Sequence, residues 1–248
     1  VTKQLVYKGN LLKKVLILGS APDAVRAADF DDNIFDSIVA INNSWKINAN
    51  WDHSIFPSDF PINRRPKGNA SQTLHTADEY VEIQNFYGGF LYAGGTMAFT
   101  AAYWALSYLK PDIIAFLGCD MIYDEKKTHF YGKGTADPLR DDPSLRSIEA
   151  KANRFEYFAS KENCSVVNIS EKDLSRLTFK KVNVSLLADK TFNFRRKLNR
   201  ANVDMALCME SELNYFVESG KYWKELTRFN LSKIDELDKL WLNCFLDA

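Results

Sequence analysis

Short apolar runs, each closed by a polar turn, recur through the first two thirds of the chain. Val15-Leu16-Ile17-Leu18 runs into Gly19-Ser20-Ala21-Pro22-Asp23, and Ile38-Val39-Ala40-Ile41 into Asn42-Asn43-Ser44-Trp45. Ser54-Ile55-Phe56 leads to Pro57-Ser58-Asp59 and Ile113 to Leu117 leads to Gly118-Cys119-Asp120, while Ser165-Val166-Val167-Asn168-Ile169-Ser170 makes a fifth run. Runs this short, rich in β-branched residues and without alternation, predict strands buried on both faces. Helical stretches at about 23–28, 96–109 and 144–160 predict the connections. The middle one is mostly apolar and is stopped by Lys110-Pro111. Strands separated by helices predict a doubly wound α/β fold with a mostly parallel sheet.

Two regions depart from this rhythm. Between Phe60 and Gly89 the pattern loosens, and PINRRPKGNASQT reads as a mobile loop over the site. Its Arg64, Arg65 and Lys67 are either a solvated cluster or an anion clamp. After Ser170 apolar positions fall at helical spacing, as in Leu207, Leu213, Phe216 and Val217, then Ile234, Leu237, Leu240, Trp241 and Phe245. A basic stripe of Arg195, Arg196, Lys197 and Arg200 precedes them. The reading is a catalytic domain over residues 1–175 and a helical extension over 176–248, packed on the sheet, forming a lid, or serving as an oligomer surface.

Charge narrows the partners. Lys+Arg and Asp+Glu both number 32, so nothing suggests a surface built to grip nucleic acid. Cys119, Cys164, Cys208 and Cys244 are widely spaced, as in small buried residues of a reducing compartment. No run approaches the ~18 apolar residues of a membrane span, and the first residues lack a signal-peptide pattern. The expectation is a cytoplasmic protein with no integral membrane segment.

Candidate chemistry gathers where the strands end, which is where ligands bind in open α/β sheets. Gly19, Ser20 and Pro22 follow the first strand, Asn42 and Asn43 the second, Ser58 and Asp59 the third, Asp120 the fourth, and Asn168 and Ser170 close the fifth. Any one of them alone reads as turn chemistry, because these side chains bond their own backbone. As a set they read as a pocket. Ala93-Gly94-Gly95-Thr96 can present backbone amides to an anion at a helix start. His129, nine residues past Asp120, suits general acid or base work. Asp120 would hold a cation, contact a ribose or merely cap its turn. His53 and His75 read as turn and loop residues. The Trp and Tyr side chains of AAYWALSYL, at helical spacing, read as core. The chain has no G-x-G-x-x-G, no G-x-x-x-x-G-K-[ST], no G-x-S-x-G and no dense metal-ligand motif.

The order strand-GSAPD, strand-INNSW, PSD, AGG-T, helix, FLGCDMIYDEKKTHFYG and VVNIS resembles a superfamily of Rossmann-like transferases over about residues 14–170. One branch contains bacterial lipooligosaccharide sialyltransferases. Another contains hydroxymethylpterin diphosphokinase-like proteins and motility-associated proteins of flagellin glycosylation, which GCDMIY and THFYG resemble most. The first branch implies a CMP-activated sugar bound by Ser20, Asn42 and Gly94-Gly95-Thr96, with Tyr123 and Tyr131 near the sugar phosphate. Ser20 departs from that branch, which has Asn there, and His129 is a base candidate on chemistry rather than alignment. The implied function is glycosyl transfer from a nucleotide-activated sugar to a glycan or protein acceptor, with no required cofactor. The alternatives are Mg-ATP-dependent diphosphotransfer, with Asp120, Asp59 and Asp124 positioning Mg²⁺, and a non-catalytic nucleotide- or sugar-binding protein.

Overall fold

Val15, Leu16, Ile17 and Leu18 are all fully buried, because β1 (Lys14–Leu18) runs through the middle of a parallel sheet covered on both faces. The computed structural model describes residues 12–123, 127–134, 140–189 and 192–246. The other strands are β2 (Ser37–Ile41), β3 (His53–Ile55), β4 (Thr73–His75), β5 (Ile113–Leu117), β6 (Ser165–Asn168) and β7 (Lys180–Lys181). Their spatial order is β4-β3-β2-β1-β5-β6-β7, with every pairing parallel. This is the doubly wound, Rossmann-like α/β architecture. From β1 the chain steps outward through β2, β3 and β4, then crosses back to build β5, β6 and β7 on the other side. The order therefore reverses between β1 and β5, and a crevice opens outside their carboxyl ends.

One face of the sheet carries α1 (Ala77–Phe86), the single turn α2 (Phe90–Ala93), α3 (Met97–Leu109) and α4 (Ile148–Lys161). Val15, Ile17, Val39, Ile114 and Phe116 pack there against Phe99, Tyr103, Trp104 and Phe155. On the opposite face Leu16, Leu18, Ala115, Leu117 and Val167 are covered by Ala24, Ala27 and Leu187, which lie on two 3₁₀ segments, Pro22–Asp29 and Val184–Ala188.

The looser region holds two elements that its pattern does not announce. β4 is only three residues long, and Thr73 and Leu74 are exposed at the sheet edge. α1 buries just Tyr80 and Gln84, too few for a visible stripe. The basic loop before them is pinned, since Arg65 donates to the carbonyls of Ser58 (2.9 Å) and Phe60 (2.8 Å) and covers the Phe56 ring. His75 is a buried residue of β4 rather than an exposed loop residue.

The C-terminal helices α5 (Arg200–Leu213) and α6 (Leu231–Leu242) dock on α4 and on each other. Leu237, Trp241, Ala206 and Ile234 form their apolar seam with Ala150 and Tyr157 of α4. α4 is thus sandwiched, and three of its charged side chains, Lys151, Arg154 and Glu156, are buried with partners from the tail. Lys151 Nζ donates to Asp238 (2.7 Å), and Arg154 makes a bidentate pair with Glu210 (2.7 and 2.8 Å). Arg196 donates to Glu156 (Nε to Oε1, 3.0 Å). Among the described residues no helix is long and apolar enough to cross a membrane.

Candidate functional site

Two glycines make the crevice. Gly19 N–H donates to Leu117 O (2.8 Å), and Ala21 N–H to Gly118 O (3.0 Å), so the turns after β1 and β5 lie against each other. A Cβ on Gly19 would sit 2.3 Å from Gly118 O, and one on Gly118 (φ +71°) would sit 2.5 Å from Ala24 Cβ. No larger residue fits either position without moving backbone, and the closeness leaves Ser20 and Ala21 at the lip of the crevice.

Asn42 forms the next wall. It stands directly after β2 in the left-handed region (φ +52°), a conformation that Asn tolerates better than most residues. Its turn is tied down by Ser44 Oγ, which donates to Leu18 O (2.6 Å). Asn42 lines the crevice, and its side-chain Oδ1 is buried with no hydrogen-bond partner among the described residues. An orphaned buried amide oxygen costs about 1–3 kcal/mol unless something supplies a donor.

The amino end of α3 closes the third side. Thr96 caps it, its Oγ1 accepting from Phe99 N–H (3.2 Å). The first-turn residues Met97 and Ala98 line the crevice, where the helix leaves backbone donors and the positive end of its dipole. Gly94 and Gly95, read as the amide cradle, are used otherwise: Gly94 N–H donates to Phe90 O (2.8 Å) and Gly95 N–H to Ser144 Oγ (3.1 Å). Gly94 is needed for its φ of +93° and because a Cβ would lie 2.8 Å from Phe99. The backbone donors at the helix start are therefore those of Met97 and Ala98, just beyond the glycines.

His129 and Tyr123 form the fourth side. His129 is 7 % exposed and sits on a tight turn, bridged to Gly132 by N–H···O bonds of 2.9 and 3.0 Å. Phe130 N–H donates to Ser20 O (2.9 Å), which binds this turn to the one after β1. Thr128 Oγ1 lies 2.7 Å from His129 Nδ1 and fixes the ring, while Tyr131 stacks on it at 5.0 Å and Tyr123 tilts against it at 6.1 Å. Tyr131 supports His129 without lining the crevice. Cys119 does line it, but burial pushes its thiol far above the ordinary value and leaves it a poor nucleophile.

Other strand-end residues hold loops. Asp120, 1 % exposed, accepts from Asn168 Nδ2 (3.0 Å), and its backbone oxygen accepts from Arg176 N–H (2.9 Å). Asn168 also donates to Ser175 Oγ (3.1 Å) and accepts from Ser170 N–H (2.9 Å), and Ser170 Oγ accepts from Lys172 N–H (3.2 Å). None of the three lines the crevice. Asn43 is buried with an unpaired Oδ1 but does not line it, and Pro22 starts a 3₁₀ segment. Asp124 lies outside the described residues. Among the described residues no three His, Cys, Asp or Glu side chains converge as a metal site.

The crevice is small, about 80 Å³. Across Met97 it adjoins a cleft of about 640 Å³, lined by Ser58 and Asp59 after β3, Tyr80 and Val81 of α1, Phe90 of α2, and Tyr222 and Trp223 of the tail. A polar knot braces the boundary. Ser144 Oγ donates to Asp142 Oδ1 (2.6 Å), Tyr222 OH donates to Asp142 Oδ2 (2.8 Å), and Arg140 reaches Tyr222 OH (3.1 Å) and Gly95 O (3.3 Å). Burial, with the Asp142 charge beside it, pushes the Tyr222 phenol up to about 12 and keeps it a neutral donor. Nothing in the local sequence pattern marks Arg140, Asp142, Ser144 or Tyr222, because they meet only through the fold. Searches of family models, curated proteins and solved structures find nothing that matches this chain.

Proposed function

We propose that the protein is a transferase that moves a glycosyl group from a nucleotide-activated sugar, a CMP-sugar by preference, to a hydroxyl acceptor in surface-glycan or protein-glycan synthesis. The observation that carries this reading is the crevice at the sheet's reversal point. It sets Asn42, whose amide oxygen is orphaned, the first turn of α3 and the His129–Tyr123 pair around one small space. The nucleotide class and the biological setting rest on the superfamily resemblance. Asn42 Oδ1 suits a ribose hydroxyl or an exocyclic amine, each of which supplies the missing donor.

In the proposed reaction the acceptor hydroxyl gives its proton to His129 as its oxygen bonds to the anomeric carbon. The bond from that carbon to the nucleotide phosphate oxygen breaks, and its electron pair leaves on the phosphate. Backbone donors at Met97 and Ala98, the helix dipole and the Tyr123 hydroxyl would stabilise the charge that develops there.

The test is a thermal-shift screen against CMP, CDP, UDP, GDP and ATP, each with and without Mg²⁺, since a ligand that binds the folded state raises its melting point. Stabilisation by CMP or CDP without metal supports the reading. A transfer assay with CMP-sugars should then fall by about 10²–10⁴ in His129→Gln. A response to ATP only in the presence of Mg²⁺ would transfer the assignment to diphosphotransfer. Binding with no turnover on any donor would leave a nucleotide-binding protein.

A further inference from the structure

We infer that the cleft beside the crevice is the acceptor site, and that it takes a hydroxylated sugar ring; the inference rests on the transferase reading above. The crevice is about one eighth of the cleft's volume and has room for only part of a nucleotide-sugar. The two share Met97, so a ring seated in the cleft lies next to whatever the amino end of α3 holds. At about 640 Å³ the cleft is in the ordinary range for a small-ligand site.

Its lining selects the ligand. Tyr80, Phe90, Tyr222 and Trp223 bring aromatic surface to it, and Trp223 is 57 % exposed, an indole left for something to cover. Asp59 and Asp141 bring carboxylates to the same space, both exposed. Asp142, also at the cleft, is already engaged by Tyr222, Ser144 and Arg140. Aromatic faces beside carboxylates complement a ring with one apolar face and outward hydroxyl donors. Three carboxylates against the cations Arg140 and Lys221 make a poor seat for a phosphate. The phosphate belongs at α3 and the neutral ring in the cleft.

The wall is built rather than incidental. Gly220, at φ +69°, lets the tail close on α1 and α2, since a Cβ there would lie 2.9 Å from Phe90 and 3.1 Å from Val81. Phe90 and Tyr222 stack at 6.3 Å, and the knot of Asp142, Ser144 and Arg140 fixes Tyr222 from the other side.

The experiment titrates the whole chain with methyl glycosides of galactose, glucose, mannose and N-acetylglucosamine, read by saturation-transfer NMR, with CMP and cytidine titrated in parallel. At least one glycoside should bind. Trp223→Ala, at an exposed position that the fold does not need, should weaken it by about fivefold or more and leave CMP binding unchanged. Asp59→Asn should weaken the same glycoside. Failure of all four glycosides, an unchanged affinity in Trp223→Ala, or displacement of the glycoside by cytidine would overturn the inference, the last by making the cleft a base site. Glycoside binding without any nucleotide binding would sink the transferase reading while leaving the cleft a sugar site. Nucleotide binding without glycoside binding would do the reverse.

Discussion

Replacing Glu210 by Ala should destabilise the protein by roughly 3–5 kcal/mol, the cost of breaking a buried ion pair by removing one partner. Arg154 is 1 % exposed and charged, and Glu210 takes two of its N–H groups at 2.7 and 2.8 Å. The remaining bonds, to Tyr103 OH (3.0 Å) and Tyr87 O (2.7 Å), stay in place but supply no negative charge. Glu210 also accepts from Trp241 Nε1 (2.8 Å), so one deletion orphans groups on both α4 and α6. Against a typical total stability of about 5–15 kcal/mol this is a large fraction. For a chain this long it corresponds to a melting point lower by about 6–20 °C. Urea and thermal unfolding followed by circular dichroism measure it. The double replacement Arg154→Met with Glu210→Met should cost clearly less than the sum of the two single changes, because it leaves no unpaired charge. A Glu210→Ala loss under about 1 kcal/mol, or simple additivity in the double mutant, would refute the view that this pair clamps the tail to the sheet layer.

Three further outcomes follow from single positions. Asn42→Gly keeps the left-handed backbone and removes only the amide, so nucleotide affinity should fall with little change in melting point; equal affinity in wild type and variant would remove Asn42 from the site. Gly118→Ala must find room for a Cβ 2.5 Å from Ala24 Cβ at φ +71°, and chemical denaturation should show a loss of about 1–3 kcal/mol. Burial, and then the neighbouring His75 ring whose Nε2 lies 3.1 Å from its Nδ1, depress the His53 pKa below the ordinary histidine value. The unfolded chain then binds the proton more readily, so stability is full above about pH 6.5 and falls as pH drops through the interval down to the depressed value. His53→Gln should flatten that part of a stability–pH profile.

β1, β2, β5 and β6 were legible because strands covered on both faces carry short, β-branched apolar runs, each closed by turn residues. β4 and α1 were not, since an edge strand with two of its three residues exposed and a helix with two buried positions leave no periodic trace. Lys151, Arg154 and Glu156 illustrate the same limit from the other side. Local spacing treats a charged residue as solvent-facing, and only Asp238, Glu210 and Arg196, supplied from 40 to 87 residues away, make their burial tolerable. Tyr222 and Trp223 reach the cleft for that reason too, carried there by a tail whose docking no short window records.

The strand-end residues show where composition stops discriminating. Asn42 and Asn168 are the same residue type in the same place, one step past or at the end of a parallel strand, and sequence alone assigns both to a ligand. Asn168 spends its amide on Asp120, Ser175 and the Ser170 backbone, so its hydrogen-bonding capacity is used within the fold. Asn42, a residue of the crevice wall, keeps its oxygen buried and unmatched. Turn chemistry accounts for the first and leaves an energetic debit at the second, and a donor from a bound molecule would remove it. Two quantities discriminate together, the partner count of a buried polar atom and its residue's place on the crevice wall, since Asn43 Oδ1 and Asp120 Oδ2 are also unmatched but neither residue lines the crevice. Both are properties of the folded chain that residue identity and spacing do not contain.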